Sequence, residues 1–396
     1  MTVDTESRTG PRERIALLRD PRMRGLIIQI VMIVAILAFA DWLVNNTVQN
    51  LSRANIASGF GFLSSRAGFD IGQVPIDYTA NSTYGRALLV GITNTVIVSL
   101  SGIVLATIVG FIIGIGRLSH NYLVRGLSSI YVETFRNIPP LLVILFWYFG
   151  VLTVLPLPRN AVGLPFGSYL SNRGLQTPSI NFEPAALFTL IAFVAGVAGA
   201  IVLGRANRQQ HMKTGQQRSL ILPNLALILG VPLAVFALTG FPVAVEFPTA
   251  TRFNLVGGWN VLPEFLALFL ALSFYTAAFI AEIVRGGILA VSWGQTEAAY
   301  ALGLRRAQTL RFVIIPQAFR VIIPPLTSQY LNLTKNSSLG LAVGYPELVA
   351  VGSTVLNQTG QSVEVVAIWM VVYLGLSFVT SALMSWFNAR MMLLER

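Results

Sequence analysis

The sequence EAAYALGLRRAQTLRFVIIP, at residues 297–316, is a polar, arginine-bearing segment between two strongly apolar regions of the chain. Its first six residues are mostly good helix formers, and Gly303 then interrupts them. The segment carries Arg305, Arg306 and Arg311, and cations beside membrane spans accumulate on the cytoplasmic side. The pattern predicts a cytoplasmic helix, a glycine turn and a second amphipathic piece, a shape suited to docking into a partner's groove.

The composition is that of a membrane protein. The 396 residues are 54% hydrophobic and only 11% charged, with a formal net charge of +11. The cations are placed unevenly along the chain, which favours a role in membrane orientation over binding to nucleic acid. There are no cysteines, and His120 and His211 are too isolated to suggest a metal pair. We therefore predict an all-α integral membrane protein with no metal site.

Eight apolar runs reach the length of a bilayer span, with bounds uncertain by several residues. They lie near residues 26–45, 87–115, 138–157, 185–204, 219–240, 263–283, 312–333 and 363–387. An even number of spans puts both termini on one side. That side holds most of the cations, so both termini are predicted to be cytoplasmic. The opposite face would hold only Arg53, Arg66, Arg159, Arg173 and Arg252.

The first apolar run follows six arginines and ends in Ala38-Phe39-Ala40, which imitates a signal-peptidase site. Apolar character resumes after Asp41, and the run then approaches the length that crosses a bilayer. A retained first span is therefore favoured over a cleaved signal peptide.

The opening segment resembles the EAA loop of ABC importer permeases. The similarity rests on Glu297-Ala298-Ala299, on Gly303 and on Val313-Ile314-Ile315-Pro316, where Val313 and Ile315 are conservative departures. The resemblance implies that a separate ATPase subunit docks here. The residues expected to couple ATPase closure to the spans are Glu297, Ala298, Ala299, Gly303, Arg305 and Pro316.

Four other runs are similar to the polar amino acid branch of these permeases. They are YVETFRNIPPLLVILFWYFG at 131–150, AEIVRGGI at 281–288, KNSSL at 335–339 and GYPEL at 344–348. Asn137 departs from the branch, which often has glycine there. The resemblance implies a five-helix importer core enlarged by three spans, as in general L-amino-acid permeases. GYPEL is expected to form a turn before a short external helix.

The resemblance covers roughly residues 85–150 and 262–390 and so divides the chain. Residues 1–84 are predicted to be a basic cytoplasmic tail, a first span and an external loop. Residues 85–150 form the first part of the permease core. Residues 151–261 are an insertion with two extra spans and a cytoplasmic hairpin, and residues 262–396 complete the core.

Ionisable and polar residues near span ends are candidates for a translocation path or gate. Glu133 and Arg136, and likewise Glu282 and Arg285, are three apart and are predicted to pair on a helix face. A charge in a span is costly when unpaired, so Glu282 either anchors the helix or acts in transport. Lys335 either meets a substrate carboxylate or reaches to the lipid headgroups. The candidate residues are Glu282, Gln329, Asn332, Lys335 and Asn336.

The chain has no G-x-x-x-x-G-K-[ST] phosphate loop, so ATP and Mg are expected on a partner ATPase and no cofactor on this chain. The resemblance implies a cytoplasmic ATPase dimer, a periplasmic amino-acid-binding protein and a second homologous permease subunit, with a heterodimer favoured. Membrane lipid is a further partner, and nucleic acid is not. The chain is expected to be a transport subunit of the bacterial inner membrane and not an enzyme. An ion-coupled secondary amino acid transporter acting without an ATPase is the alternative.

Overall fold

The computed structural model describes residues 21–53, 59–215, 219–251 and 254–391, and most of these residues are helical. The helices are α1 Pro21–Arg53, α2 Tyr84–Gly116, α3 Tyr122–Arg136, α4 Pro140–Leu145, α5 Ala186–Thr214, α6 Ile221–Leu225, α7 Val231–Leu238, α8 Pro263–Leu289, α9 Trp293–Ala301, α10 Arg306–Thr309, α11 Ile315–Asn336, α12 Leu348–Thr359 and α13 Ser362–Met391. Wider π-type turns continue α4, α6 and α10, at Phe146–Leu152, Ala226–Gly230 and Leu310–Ile314.

Seven helical stretches of the described residues are long and apolar enough to cross a membrane. They are Met23–Thr47, Tyr84–Gly116, Ala186–Thr214, Ile221–Leu238, Pro263–Leu289, Arg306–Val343 and Ser362–Arg390. Each coincides with a predicted apolar run, so a multi-span helical protein is confirmed. The arginine-rich tail at residues 1–20, predicted to be cytoplasmic, lies outside the described residues.

The predicted span over residues 138–157 is shorter than expected, because α4 and the π-type turn that continues it run only from Pro140 to Leu152. The structure has α3 and α4 joined at an angle of 109°. The cause is Pro139, which is extended (φ −59°, ψ 139°), followed by Pro140 at the first position of α4. Two consecutive prolines lack two backbone donors and exclude the preceding residues from helical geometry. The eighth span exists only if this bent pair crosses the membrane as one unit.

The core forms where α2 packs along α8. The stripe Gly102, Ala106, Gly110 and Gly114 of α2 is fully buried. A Cβ added at Gly110 would lie 2.6 Å from the Cβ of Ile280, so the helices approach too closely for any side chain there. These small residues recur every four positions in the sequence, and the stripe they form packs within the chain, where it allows close helix contact.

Residues 151–261, predicted to be an insertion, contain short strands, which the all-α prediction did not include. The strands are β1 Val162–Leu164, β2 Ser168–Ser171, β3 Gly174–Thr177, β4 Ser179–Phe182, β5 Val243–Glu246, β6 Thr249–Ala250, β7 Leu255–Val256 and β8 Trp259–Val261. An antiparallel sheet has the order β1-β2-β3-β8, and β4 pairs with β5. The segments before α5 and after α7 therefore lie together, at the end of α8 opposite to α9. This end is called the β end, and the other the α9 end.

The two inserted spans pack on each other as a hairpin. Gly196 of α5 lies directly against the backbone carbonyl of Leu227, in the π-type turn between α6 and α7. Gly196 and Ala200 are buried while most of the remaining surface of α5 is exposed. Gly196 and Ala200 therefore form a helix contact through small residues, as the stripe of α2 does.

The turn before α12 is bonded to α2 at the β end. The Leu348 N–H donates to the Thr95 hydroxyl (3.1 Å), and the Asn94 side-chain amide donates to the Pro346 carbonyl (2.9 Å). The Tyr345 hydroxyl donates to the Asn94 carbonyl (3.2 Å). These bonds fix α12 against the start of the core, and they confirm the predicted turn and short helix.

Candidate coupling segment and polar face of α11

The helix of the opening segment, α9, presents an exposed face. It begins at Trp293, four residues before the predicted start at Glu297, and ends at Ala301. Glu297 and Ala298 are exposed, whereas Ala299 is only 3% exposed and packs inward. The side chain of Leu302, at the end of the helix, is 82% exposed. Glu297, Ala298 and Leu302 are therefore all accessible on the surface of the protein.

Gly303 ends α9 in the left-handed conformation (φ +76°). The Gly303 N–H donates to the Tyr300 carbonyl (2.9 Å), and the Leu304 N–H donates to the Ala299 carbonyl (3.1 Å). This pair of bonds is the Schellman motif, in which a left-handed glycine satisfies the last helical carbonyls. The predicted glycine turn is confirmed. A Cβ at this position would meet nothing within 4 Å, so the requirement for glycine comes from the backbone angle alone.

Beyond the turn the backbone is helical from Arg306 to Asn336. The Arg305 N–H donates to the side-chain oxygen of Gln308 (2.9 Å), which caps α10. The π-type turn at Leu310–Ile314 lies just before Pro316 and accommodates a residue that has no N–H. The part of the opening segment that follows Arg305 is therefore continuous with the next span.

Two side-chain bonds tie the segment to its surroundings. The Gln317 amide of α11 donates to the Gln295 oxygen of α9 (3.1 Å), which links the exposed helix directly to the following span. Arg306 bonds His120, in the turn between α2 and α3 (3.2 Å). The first bond connects α9 with α11, and the second connects α10 with the turn between α2 and α3.

Glu282 is the shared partner of three arginines from three helices. It pairs with Arg285 (2.6 Å) on α8, as predicted, with Arg117 after α2, and with Arg136 (3.9 Å) on α3. The predicted pairing of Glu133 with Arg136 is wrong. Glu133 is instead 3.6 Å from Arg117, since the neighbouring helices bring closer partners than the same helix does. Three cations on one carboxylate join α2, α3 and α8 at the α9 end.

The candidate residues of α11 share one side of that helix. Gln329, Asn332, Lys335 and Asn336 recur at helical spacing, and Asn332 and Lys335 are exposed. Pro325 and Ser328 extend the same exposed stripe. Lys335 lies at an opening of about 310 Å³ shared with Trp369 and Tyr373 of α13. Glu282 lies instead among the arginines at the α9 end, so it does not belong to the same site as Lys335.

Glu347 is a buried carboxyl that the sequence did not single out. It is 0% exposed, lies between the last two candidate spans and caps α12. Its oxygens accept from the Val349 and Ala350 N–H groups (2.8 Å each) and from the Tyr373 hydroxyl (3.1 Å). Burial raises the pKa of Glu347 to about 7, because desolvation of the carboxylate outweighs these donors. The resemblance of GYPEL indicated only a turn.

Comparison with known proteins identifies the family. The model of the family described as "Binding-protein-dependent transport system inner membrane component" matches residues 196–393. The general L-amino acid transport system permease protein AapQ of Rhizobium johnstonii is 57% identical over 377 residues, which cover 95% of this chain and 94% of that protein. The putative amino-acid ABC transporter permease protein YhdX of Escherichia coli is 50% identical over 378 residues, covering 95% and 96%. This chain belongs to the binding-protein-dependent transport system inner membrane component family.

The match within the family is full-length. Because AapQ and YhdX are covered almost end to end, the similarity includes the inserted region as well as the core. A solved structure described as an amino acid ABC transporter with histidines is 20% identical and covers 78% of this chain and 95% of that chain, with a TM-score of 0.46. The resemblance to ABC importer permeases drawn from residues 297–316 is confirmed at the level of the family.

Several residues of this family member were not predicted from the sequence. Arg117 is not among the predicted site residues, and its position between Glu133 and Glu282 depends on helix packing. His120 was set aside as an isolated histidine, yet it contacts Arg306. No sequence signal points to the contact of Arg117 with Glu282 or of His120 with Arg306, because these pairs are 165 and 186 positions apart. The coupling and path roles of the predicted residues stay predictions.

Proposed function

We propose that this chain is a membrane-spanning permease subunit of an ATP-binding-cassette importer that moves L-amino acids from periplasm to cytoplasm. Family membership supports the transport role, and the names of AapQ and YhdX support amino acids as the cargo. The observation that supports the coupling mechanism is the exposed face of α9. This helix ends at Gly303 and is hydrogen-bonded to α11. In this proposal the α9 end is cytoplasmic, as are both termini.

The partners follow from the importer class. A dimer of ATPase subunits would dock on α9 and bind ATP and Mg, since the chain itself has no phosphate loop. A periplasmic amino-acid-binding protein would deliver the substrate at the β end. A second, similar permease subunit would complete the path, with a heterodimer favoured over a homodimer. Lipid would surround the exposed apolar faces of α1 and α5.

In this mechanism the ATPase contacts α9, and α11 is the helix that moves. Closure of the ATPase dimer would displace Glu297, Ala298 and Ala299, and Gly303 would hold α9 at a fixed angle to the helix beginning at Arg306. Gln295 and Gln317 would transmit the displacement to α11. The ATPase shifts the balance between inward and outward states only by contacting them differently.

The polar stripe of α11 would line the translocation path. Lys335 offers a cation to the substrate carboxylate, and Gln329, Asn332 and Asn336 offer amides to the rest of a zwitterion. Glu282 would act elsewhere, holding α2, α3 and α8 together as one body while α11 moves. Residues 85–150 and 262–396 would form the core, with residues 151–261 added to it.

ATP-driven uptake into proteoliposomes tests the proposal. The complex should accumulate an L-amino acid only with ATP inside and binding protein outside, and proton and sodium ionophores should leave uptake intact. Uptake by this chain alone, abolished by such an ionophore, would instead identify the ion-coupled secondary transporter. That alternative is not favoured, because the chain belongs to a binding-protein-dependent family.

A further inference from the structure

A cavity of about 760 Å³ lies behind α9. Its walls come from the ends of three candidate spans, at Leu118 after α2, at Ile288 and Leu289 of α8, and at Ile314 before α11. The inner face of α9 closes it with Trp293 and Tyr300. The volume is in the range of small-molecule sites, and the cavity lies at the ends of candidate spans on the α9 side.

The polar groups of the cavity suit an anion. Arg306 and His120 both line it. A guanidinium can only donate, so in their 3.2 Å contact His120 accepts through Nε2 and keeps an N–H on Nδ1. The cavity therefore offers a cation and a neutral donor side by side. Among the described residues that line it there is no carboxylate, so the ammonium of an amino acid would find no charged partner.

A second observation independently points to a ligand. Thr309 also lines the cavity and is only 1% exposed, yet its hydroxyl has no hydrogen-bond partner among the described residues. A threonine within a helix can donate to the carbonyl four residues earlier, as Thr327 and Thr334 do. A buried hydroxyl left without a partner costs free energy. Rotation of the Thr309 side chain about χ1 would turn the hydroxyl towards an acceptor in the cavity and recover that cost.

The remaining lining is apolar and reaches the surface. Leu289, Trp293 and Leu310 line the cavity and are all exposed large apolar residues. Tryptophan is enriched where membranes meet water. A ligand with an anionic head and a long apolar body would match both parts of the cavity, and the adjoining leaflet contains such molecules.

We propose that this cavity binds an anionic phospholipid. Its phosphate would lie at Arg306 and His120 within reach of the Thr309 hydroxyl, and one acyl chain would follow Ile288, Leu289 and Ile314. The bound lipid would contact the inner face of α9 and so fix the helix on which, in the proposed function, the ATPase docks. Lipid composition would then affect coupling without contacting the translocation path.

Native mass spectrometry of the delipidated full chain, purified with its partner subunits, tests the proposal. Phosphatidylglycerol should bind the wild type, and Arg306→Gln should weaken that binding about ten-fold, the usual effect of losing a charge-assisted hydrogen bond. Arg311→Gln is the matched control, because Arg311 is exposed, lies in the same segment and does not line the cavity. It should change the affinity less than about two-fold.

Two further comparisons decide the result if Arg306→Gln does not assemble. Thr309→Val keeps the size of the side chain and should weaken phosphatidylglycerol binding several-fold. Phosphatidylcholine with the same acyl chains should bind the wild type clearly more weakly. Equal binding of the two lipids, equal losses in the two arginine variants, or competition by inorganic phosphate at the same concentration would each overturn the proposal. These measurements need neither ATP nor transport, so they are separate from the test of the importer.

Discussion

Gly303 is a single residue whose backbone angle sets the direction of α9. With φ at +76° and open space where a side chain would go, Gly303→Val is penalised only through the backbone, by about 1–2 kcal/mol. We expect this variant to lower substrate-stimulated ATP hydrolysis in proteoliposomes, because α9 would tilt away from its partner.

Gly303→Asn is the matched control, since asparagine has a similar size and tolerates the left-handed conformation. It should retain most of the stimulation. If the two variants behave alike, the side chain and not the backbone angle matters, and the account of the turn is wrong.

Glu347 predicts a dependence of stability on pH. Its pKa in the fold, about 7, is above the ordinary value of 4.5, so the folded state binds the extra proton between these limits. The contribution of Glu347 to the free energy of unfolding is therefore fully present below about pH 4.5. It is lost as the pH rises towards about 7, by about 3 kcal/mol in total. Thermal unfolding of the purified protein from pH 5 to 8 should show the decline.

Glu347→Gln should remove most of that slope, because the amide does not titrate. Glu183→Gln, at an exposed glutamate before α5, is the control and should leave the slope unchanged. A pH slope that survives Glu347→Gln would show that another group titrates.

The cluster around Glu282 predicts unequal effects from two similar substitutions. Glu282→Gln leaves Arg117, Arg136 and Arg285 without their shared carboxylate and should destabilise the protein by about 1–3 kcal/mol. Glu133→Gln removes a side chain that is 61% exposed and one 3.6 Å pair, and should cost less than about 1 kcal/mol. Denaturation of both variants in the same detergent checks the order, and a larger cost at Glu133 would contradict it.

At the scale of the elements, the contact between α2 and α8 depends on the absence of side chains. Gly110→Ala would put a Cβ 2.6 Å from Ile280 and should cost about 1–3 kcal/mol despite the better helix propensity of alanine. Gly126→Ala, in α3 with nothing within 4 Å, is the control and should be neutral or stabilising. Melting temperatures of the two variants separate packing from propensity, and an equal response would contradict the close contact.

The elements also separate what the sequence could predict from what it could not. The length of an apolar run located the spans, and the spacing of Gly102, Ala106, Gly110 and Gly114 located a contact face, because both signals are local. Run length located a span at residues 138–157 but did not show that its helix, Pro140–Leu152, is short and lies at 109° to α3. Strand β3 pairs with β8, which lies more than eighty residues later in the chain, so this pairing could not be predicted.

Site residues divide in the same way. The turn at Gly303 and the pair of Glu282 with Arg285 follow from neighbours in sequence, and both were predicted. The bonds of Arg117 with Glu282, of His120 with Arg306 and of Glu347 with Tyr373 join distant helices. Only the packing of the whole bundle brings these groups together.

At the scale of the whole molecule, the proposed function requires α9 and the small sheet to face opposite compartments. The chain contains no cysteine, so one introduced cysteine reports its own position without interference. Ala298→Cys lies on the exposed face of α9, and Asn181→Cys lies exposed in β4 at the β end. Both sites avoid the buried core and should permit folding.

Labelling of these two cysteines in intact cells and in inverted membrane vesicles tests the central claim most directly. A membrane-impermeant maleimide should reach Asn181→Cys only in cells with a permeabilised outer membrane, and Ala298→Cys only in inverted vesicles. The ATPase subunits should protect Ala298→Cys, and stripping them from the membrane should restore its labelling. Labelling of Ala298→Cys from the periplasm, or labelling that the ATPase does not affect, would contradict the assignment of α9 as the coupling helix.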